Sequence, residues 1–287
     1  MQIHQIPLLR NPIMVMAFSG WNDAGAAASG ALDHLLSAWS QTHSEVVPVL
    51  VADIEPEDFY DFQVNRPSTR LNEFHARVID WPSTEIYGLA LPHFSRDLVI
   101  VKGVEPSMRW PTFTHELLDL ADDLEVSMIV TLGSLLADVP HSRPISVNVT
   151  AASSLLAKRL GAELSTYEGP TGILGVIHED CMQRGIDSIS LWAPVPHYAS
   201  NSPSPKSSLA LIHALEDFLE LSVPQSELAA AADVWEVEIN DLAKEDSDVA
   251  DYIKALEESK DAADIPGVSG EMIAQEFERY LRRRSHD

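Results

Sequence analysis

The segment Ile13-Met14-Val15-Met16-Ala17-Phe18-Ser19-Gly20-Trp21-Asn22-Asp23 decides the fold class of the chain. Its apolar run is typical of a strand that is buried on both faces of a sheet. The polar residues that follow predict a tight turn, in which Asn22 or Asp23 caps a helix of small residues that runs to about Trp39. A buried strand followed at once by a helix is the first half of a β–α–β unit.

Apolar runs continue to alternate with helical patterns along the chain. Further strands are predicted at residues 46–51, 98–101, 126–132 and 189–192, and helices at 112–123, 151–160, 173–184 and 206–221. Gly161 and Gly185 follow two of these helices in the position of a left-handed C-terminal cap. The pattern predicts an α/β protein with a doubly wound, mostly parallel sheet and right-handed crossovers.

Two regions depart from this alternation. The stretch from Asp53 to Pro92 is rich in proline, aspartate and aromatic residues, and we interpret it as an excursion from the sheet edge with a short hairpin. Residues 225–287 hold 17 acidic and 7 basic residues in helical patterns at 226–260 and 271–284. We predict an α/β core domain over residues 1–224 and a small, acidic helical C-terminal appendage over residues 225–287.

The composition is that of an acidic globular protein. The chain has 287 residues, of which 45% are hydrophobic and 22% charged, and a formal net charge of −25. This charge argues against broad contacts with nucleic acid or an anionic membrane, because both require a basic surface. The single cysteine, Cys181, excludes an internal disulfide. We expect a cytoplasmic protein, since we find neither a signal peptide nor an apolar run of the roughly 18 residues that a membrane helix requires.

Polar residues cluster in the loops beside the predicted strands. In a doubly wound sheet such loops meet in a crevice at the carboxyl ends of the strands, where ligands bind. A hypothetical ligand-binding crevice would contain Gly20, Asn22, Asp23, Glu105, Arg109, Gly133, Ser134, Glu168, Gly169 and Thr171. We predict that Asn22, Gly133 and Gly169 lie at the same edge of the sheet.

None of these loops carries a complete catalytic signature. The turn after Phe18 is neither the dinucleotide-binding G-x-G-x-x-G nor a P-loop, and Gly133-Ser134 lacks the frame of a nucleophile elbow. Ser134, Asp138 and His141 do not make a triad by proximity in sequence. The eleven histidines lack the spacing of metal ligands. We predict no catalytic residue, no cofactor and no metal.

Each motif also has a structural interpretation. The turn at Asn22 and Asp23 can serve only to cap a helix. Arginine in a loop, such as Arg109, more often closes an ion pair than binds a substrate anion. If the protein is not an enzyme, we expect Glu105 and Arg109 to form a buried pair. If it is an enzyme, we expect Arg109 and Glu168 to face a solvent-filled pocket.

Several stretches together resemble a known family. They are Gly20-Trp21-Asn22-Asp23-Ala24-Gly25, Asp58-Phe59-Tyr60-Asp61-Phe62-Gln63-Val64-Asn65-Arg66-Pro67, Trp81-Pro82, Gly103-Val104-Glu105-Pro106-Ser107-Met108-Arg109-Trp110 and Tyr167-Glu168-Gly169-Pro170-Thr171-Gly172. Over about residues 10–222 the chain resembles the bacterial branch of the proteasome assembly chaperone 2 family. The tail Glu276-Phe277-Glu278-Arg279-Tyr280-Leu281 is similar to tails of that branch.

The resemblance implies a phosphorylase/hydrolase-like core and a homo-oligomer, with a trimer favoured. The eukaryotic relatives help to assemble the proteasome α-ring and dock on it through a C-terminal hydrophobic-Tyr-any tripeptide. This chain ends Ser285-His286-Asp287 and lacks that tripeptide. The resemblance supplies no catalytic residue.

Two functions therefore stay open. The first is a non-catalytic assembly-chaperone-like or protein-interaction protein with a homo-oligomeric state and a possible protein partner. The alternative is an enzyme or binding protein for a small anionic, phosphate- or nucleoside-like ligand in the crevice.

Four aromatic residues of the excursion either anchor an interface or cover the domain's own sheet edge, namely Phe59, Tyr60, Phe62 and Trp81.

Overall fold

A mixed sheet with a parallel centre organises the chain. The computed structural model of the protein describes residues 1–40, 43–200 and 203–264. The strands are β1 (Gln2–Ile3), β2 (Ile13–Ser19), β3 (Val49–Ile54), β4 (Ser68–Leu71), β5 (Arg77–Asp80), β6 (Thr84–Leu89), β7 (Leu98–Val104), β8 (Met128–Ala137), β9 (Asn148–Ala151), β10 (Glu163–Leu164) and β11 (Ser188–Pro196). Nine of them form one sheet in the order β1-β3-β6-β7-β2-β8-β11-β9-β10. The four central strands, β7, β2, β8 and β11, run parallel, and the predicted α/β class is confirmed.

Helices cover both faces of this sheet. They are α1 (Ala27–Ser37), α2 (Trp110–Asp123), α3 (Ser154–Leu160), α4 (Ile173–Arg184), α5 (Pro205–Leu219), α6 (Ser226–Glu245) and α7 (Ser247–Asp264). Ile13, Val15 and Ala17 of β2 face a core formed with α1 and α5. Met14 and Phe18 face a second core formed with α2 and α4. Because β2 is covered on both sides, its sequence is continuously apolar rather than alternating.

The predicted C-terminal caps are present, whereas the first helix begins later than predicted. Gly161 and Gly185 end α3 and α4 with φ of 65° and 73°, the left-handed conformation that glycine adopts without strain. The first helix begins at Ala27, after a short 3-10 turn, so neither Asn22 nor Asp23 is its N-cap residue. Asp23 still stabilises the helix start, because its Oδ1 accepts a hydrogen bond of 2.8 Å from the Ala28 amide.

The stretch from Asp53 to Pro92 belongs to the sheet more than its composition indicates. Strands β4 and β5 form the expected separate hairpin. Strand β6, however, returns to the sheet and pairs antiparallel with both β3 and β7. Residues alternate between buried and half-buried along the first part of β6, and this alternation is typical of an antiparallel strand near an edge.

The C-terminal part is helical, as predicted, but its first helix is interrupted. The pattern at 226–260 predicts one helix, whereas α6 and α7 are separated at Asp246, which is extended with φ −130° and ψ 113°. The Asp246 carboxylate accepts a hydrogen bond of 2.9 Å from the Asp248 amide, so it caps the second helix. The predicted helix at 271–284 and the tail motif lie outside the described residues.

Both C-terminal helices contact the α/β part of the chain. Trp235 and Ile239 of α6 are buried against Ala199, and Arg143 forms an ion pair of 2.8 Å with Asp261 of α7. The domain division at residue 224 stays a prediction. No helix within the described residues combines the length and the apolar character needed to cross a membrane.

Candidate functional site

One carboxylate joins three of the loops at the carboxyl edge of the central strands. Asn22 Nδ2, in the turn after β2, donates a hydrogen bond of 2.8 Å to Glu105 Oε1, which follows β7. The same oxygen accepts a hydrogen bond of 2.9 Å from the amide of Ile173, the first residue of α4. Asn22 is only 2% exposed. Glu105 is therefore engaged by two donors and holds these loops together.

Ser134, in β8, connects a fourth segment to the same cluster. Its amide donates to the Asn22 carbonyl at 2.8 Å, and its hydroxyl donates to the Ala24 carbonyl at 2.9 Å. The Asp23 carboxylate accepts from the Ser29 hydroxyl at 2.6 Å in addition to the Ala28 amide. Asn22, Asp23, Glu105 and Ser134 are thus brought together, but they satisfy one another and the backbone.

Close packing explains the glycines around this cluster. A Cβ atom at Gly172 would clash with the side-chain amide of Asn22, and one at Gly133 would lie 2.7 Å from the ring of Trp192. Gly20 lies beside Glu105 with φ of 129°, a conformation that other residues rarely adopt. These glycines permit the loops to approach each other and leave little room for a ligand among them.

Arg109 does not pair with Glu105, and the expectation of a buried pair is wrong. The Arg109 guanidinium forms an ion pair with Asp58 and lies 5.5 Å from the centre of the Phe59 ring. Arg109 precedes α2 with a left-handed φ of 56°, while Glu105 is engaged by the Asn22 side chain. The loop contacts, rather than the four-residue spacing, decide the partner of each charge. The Arg109 side chain is half exposed.

In the loop before α4, the backbone at the end of the loop contacts the cluster, and the acidic residue Glu168 does not. Glu168 and Gly169 are exposed, in a turn that is closed by a hydrogen bond of 2.9 Å from the Tyr167 hydroxyl to the Pro170 carbonyl. The Ile173 amide, just beyond this turn, contacts Glu105. Glu168 is thus not among the residues that the cluster engages.

A groove of about 400 Å³ lies between α2 and α4, beside the cluster. It is lined by Pro111, Thr114, His115, Thr171, Gly175, Val176, Glu179, Asp180 and Gln183. Thr171 is the single residue of the predicted crevice in this lining, which includes neither Arg109 nor Glu168. Two carboxylates in the lining make the groove unfavourable for a phosphate-like anion.

The same loops and strand ends that carry the cluster also carry exposed apolar side chains, and the sequence interpretation missed them. Trp21 is 65% exposed, and Tyr167 is similarly open to solvent. Met108, Leu135 and Leu136 are also exposed. Trp21, Met108 and Tyr167 stand inside the quoted motifs. A large apolar or aromatic residue in an otherwise polar turn is the sequence signal that indicates them. We call these five residues the apolar rim.

The hairpin β4–β5 carries a second group of exposed apolar residues. Phe74 at its tip is 79% exposed, and Leu71 and Ile79 are also exposed. Trp81 is half exposed, with its ring 4.8 Å from that of the partly buried Phe62.

Phe59 and Tyr60 are not exposed anchors. Both are buried, because they pack under the sheet with Phe113 and the strands of the second core. The Tyr60 hydroxyl lies 2.7 Å from Thr84 Oγ1, and burial raises the pKa of Tyr60 to about 12. These two residues therefore cover the domain's own sheet, which is the second of the two alternatives that the sequence left open for them.

Comparisons with known proteins agree with this architecture. The sequence model of the PAC2 family matches residues 17–243. A PAC2 family protein from Streptomyces avermitilis is 45% identical, with a TM-score of 0.77 over 84% of this chain and 99% of that one. A Mycobacterium tuberculosis protein described as a proteasome-assembly chaperone homologue is 44% identical, with a TM-score of 0.74 over the same shares of the two chains.

A more distant structure shares the fold alone. Pyrococcus furiosus PbaB, described as an archaeal proteasome activator, is 17% identical, with a TM-score of 0.66 over 84% of this chain and 96% of that one. None of the curated proteins matches the chain. The match to residues 17–243 and the two bacterial structures settle the relationship. This chain belongs to the PAC2 family.

Proposed function

We propose that this protein is a non-catalytic, assembly-chaperone-like protein that binds a partner protein through the apolar rim. One observation carries the proposal: the polar groups of the crevice are engaged with each other, whereas Trp21 and its neighbours are exposed at the same edge. A catalytic acid or base must be free to exchange a proton with a substrate. Exposed apolar side chains grouped at one place are typical of a protein interface.

The relatives support a protein partner. The Mycobacterium tuberculosis protein is described as a proteasome-assembly chaperone homologue, and it covers most of this chain at 44% identity. Large aromatic residues are the most frequent anchors of protein interfaces, and the rim offers Trp21 and Tyr167. The net charge of −25 disfavours nucleic acid as the partner.

We also propose that the chain forms a homo-oligomer, with a trimer favoured, in the cytoplasm. The exposed hairpin supports self-association. A two-stranded hairpin with apolar residues gains little stability in water until a further surface covers it. Leu71, Phe74 and Ile79 would be the residues that a neighbouring subunit buries. In this proposal the hairpin mediates self-association and the apolar rim stays available for the partner.

A site-specific cross-link tests the proposed partner surface. A photoreactive phenylalanine derivative replaces Trp21 in the full chain in cells. The control position is Met182, an exposed apolar residue near the end of α4. We expect a discrete cross-linked protein from position 21 that position 182 does not produce. The same products from both positions, or none from position 21, would contradict the proposal.

A further inference from the structure

Two histidines and a glutamate meet at the amino edge of the parallel strands, opposite the crevice. His43 and Glu45 lie between α1 and β3, and His93 lies between β6 and β7. One ligand atom from each of the three residues lies within 4.8 Å of the others. His93 Nε2 is 2.8 Å and His43 Nδ1 is 3.7 Å from the same Glu45 oxygen. The two imidazole rings are 4.7 Å apart, centre to centre.

These separations are close to the distances between neighbouring ligand atoms around a bound metal ion. In a tetrahedral zinc site with ligands at about 2.1 Å, neighbouring ligand atoms are about 3.4 Å apart. The Glu45–His43 distance of 3.7 Å and the Glu45–His93 distance of 2.8 Å lie on either side of that value. Small side-chain rotations would therefore place all three atoms around one ion. We propose that His43, Glu45 and His93 bind one divalent transition-metal ion of the zinc type.

The loop that carries His43 and Glu45 is anchored to the core. The His43 amide donates to the Trp39 carbonyl at 2.7 Å, and the Val46 amide donates to the His43 carbonyl at 2.9 Å. Trp39 and Val46 are both buried. The Trp39 ring also contacts Phe94, the residue after the third ligand, with ring centres 6.1 Å apart. This contact fixes the two loops relative to each other before any ion binds.

The turn that carries His93 is fixed by hydrogen bonds to Asp97 and Arg10. The buried Asp97 carboxylate accepts a hydrogen bond of 2.7 Å from the Leu91 amide and pairs with Arg10 at 2.9 Å. Arg10 Nη2 also donates to the Leu91 carbonyl at 2.6 Å. The backbone next to His93 is therefore held on both sides, and the ion needs only side-chain adjustments.

The donor set favours one class of ion. Two imidazoles and one carboxylate suit zinc and its neighbours, whereas magnesium and calcium prefer oxygen ligands alone. All three side chains are at least one third exposed, so water can complete the coordination. The negative net charge raises the local concentration of cations. Spacing in sequence does not reveal this set, because its ligands come from two loops about fifty residues apart.

Binding of the ion would join the loop after α1 to the loop after β6. It would replace the His43–Glu45 and His93–Glu45 pairs by bonds to a common centre. The resulting stabilisation of the folded chain would grow with the logarithm of the ion concentration above Kd. This role is structural and does not depend on the proposed partner surface at the other edge of the sheet.

The test is a titration of the EDTA-treated full chain with ZnCl₂, measured by calorimetry and by thermal unfolding. We expect one ion per chain and a melting temperature that rises by several degrees at a hundredfold excess over Kd. Substitutions H93A and E45Q should each weaken binding at least tenfold. Substitution H4A is the matched control, because His4 pairs with Asp53 on the surface as His93 does with Glu45. It should leave zinc binding unchanged.

Three results would overturn the proposal. They are the absence of any melting-temperature shift with zinc, unchanged zinc affinity in both H93A and E45Q, and an equal shift with MgCl₂. The last result would mean that surface carboxylates bind cations generally. A visible absorption spectrum of the Co²⁺-loaded protein, lost in H93A but not in H4A, would support coordination by His93 directly.

Discussion

The two edges of the central sheet use their polar side chains in opposite ways. At the carboxyl edge, Asn22, Glu105 and Ser134 bond to one another and to the backbone, and the exposed residues are apolar. At the amino edge, the exposed His93 and the half-buried His43 lie around a shared, exposed carboxylate. Both groups contain paired side chains, but the Asn22–Glu105 pair is inaccessible to a ligand, whereas water reaches the side chains of Glu45 and His93. The comparison teaches that polar residues in loops indicate a site only when a ligand can reach them and replace their present partners.

The largest effect should follow from removing the carboxylate that joins the loops. Substitution E105A leaves the buried Asn22 amide and the Ile173 N–H without their acceptor, and we expect a loss of about 3 kcal/mol in the free energy of unfolding. Urea denaturation measures it. Substitution E168A is the control, because Glu168 is exposed, and it should cost less than about 0.5 kcal/mol. Equal losses in the two variants would mean that Glu105 is not the structural centre of the edge.

One buried and two half-buried histidines should make the free energy of unfolding fall in weakly acidic solution. Burial lowers the pKa of His34, His141 and His178 below the ordinary value of 6.5. Between each lowered pKa and 6.5 the unfolded chain binds more protons than the folded chain. The free energy of unfolding is therefore retained above about pH 6.5 and falls as the pH drops below it.

A series of urea midpoints at pH 7.5, 6.5 and 5.5, with EDTA present, measures this dependence. Substitution H178Q should reduce the loss between pH 6.5 and 5.5, since one half-buried imidazole no longer has to gain a proton. The exposed hairpin residue His75 supplies the control H75Q, which should keep the full loss. A stability that does not change, or that rises as the pH falls, would contradict the assignment of burial as the cause.

A charge at the hairpin tip should weaken self-association without unfolding the chain. Phe74 is the most exposed aromatic residue of the hairpin, so substitution F74D places a carboxylate in the proposed subunit contact. We expect at least a tenfold weaker association in sedimentation equilibrium, with an unchanged melting temperature. Substitution M182D, on α4, should leave association unchanged. A wild-type protein that sediments as a monomer at micromolar concentration would remove the homo-oligomer from the account.

The smallest effect is expected at Arg109. Its ion pair with Asp58 is half exposed, and such pairs contribute less than about 1 kcal/mol. Substitution R109A should therefore lower the melting temperature only slightly. A sharp drop would instead favour the buried structural role that the Glu105–Arg109 spacing predicts from sequence.

Local sequence patterns predict the centre of this fold well and its edges less well. The apolar run at 13–18 and the glycines at 161 and 185 act through nearby backbone, and the structure places them as expected. Strand β6 is harder to predict, because its half-buried alternation stands between prolines and aromatic residues. The break at Asp246 depends on a single side-chain cap within a long helical pattern.

The sequence predicts where the loops of the site meet, but it does not predict which of their side chains pair. Parallel strands bring the loops of Asn22, Glu105 and Ser134 together whatever their side chains are, so topology alone places them at one edge. Which groups then pair depends on which side chains of different loops come within hydrogen-bond distance of each other. Glu105 accordingly takes Asn22 and the Ile173 amide, and Arg109 takes Asp58. The proposed metal ligands likewise depend on contacts between distant loops.

The most direct test compares an apolar and a polar substitution in one assay. The yield of the cross-link from position 21 is measured in the full chain that carries either L135D or R109A, with the melting temperature of each variant recorded alongside. If the apolar rim binds the partner, L135D removes the cross-linked product while R109A retains it, and both proteins stay folded. Loss of the product in R109A, with full yield in L135D, would place recognition at the charged surface of Arg109 rather than at the apolar rim and contradict the account.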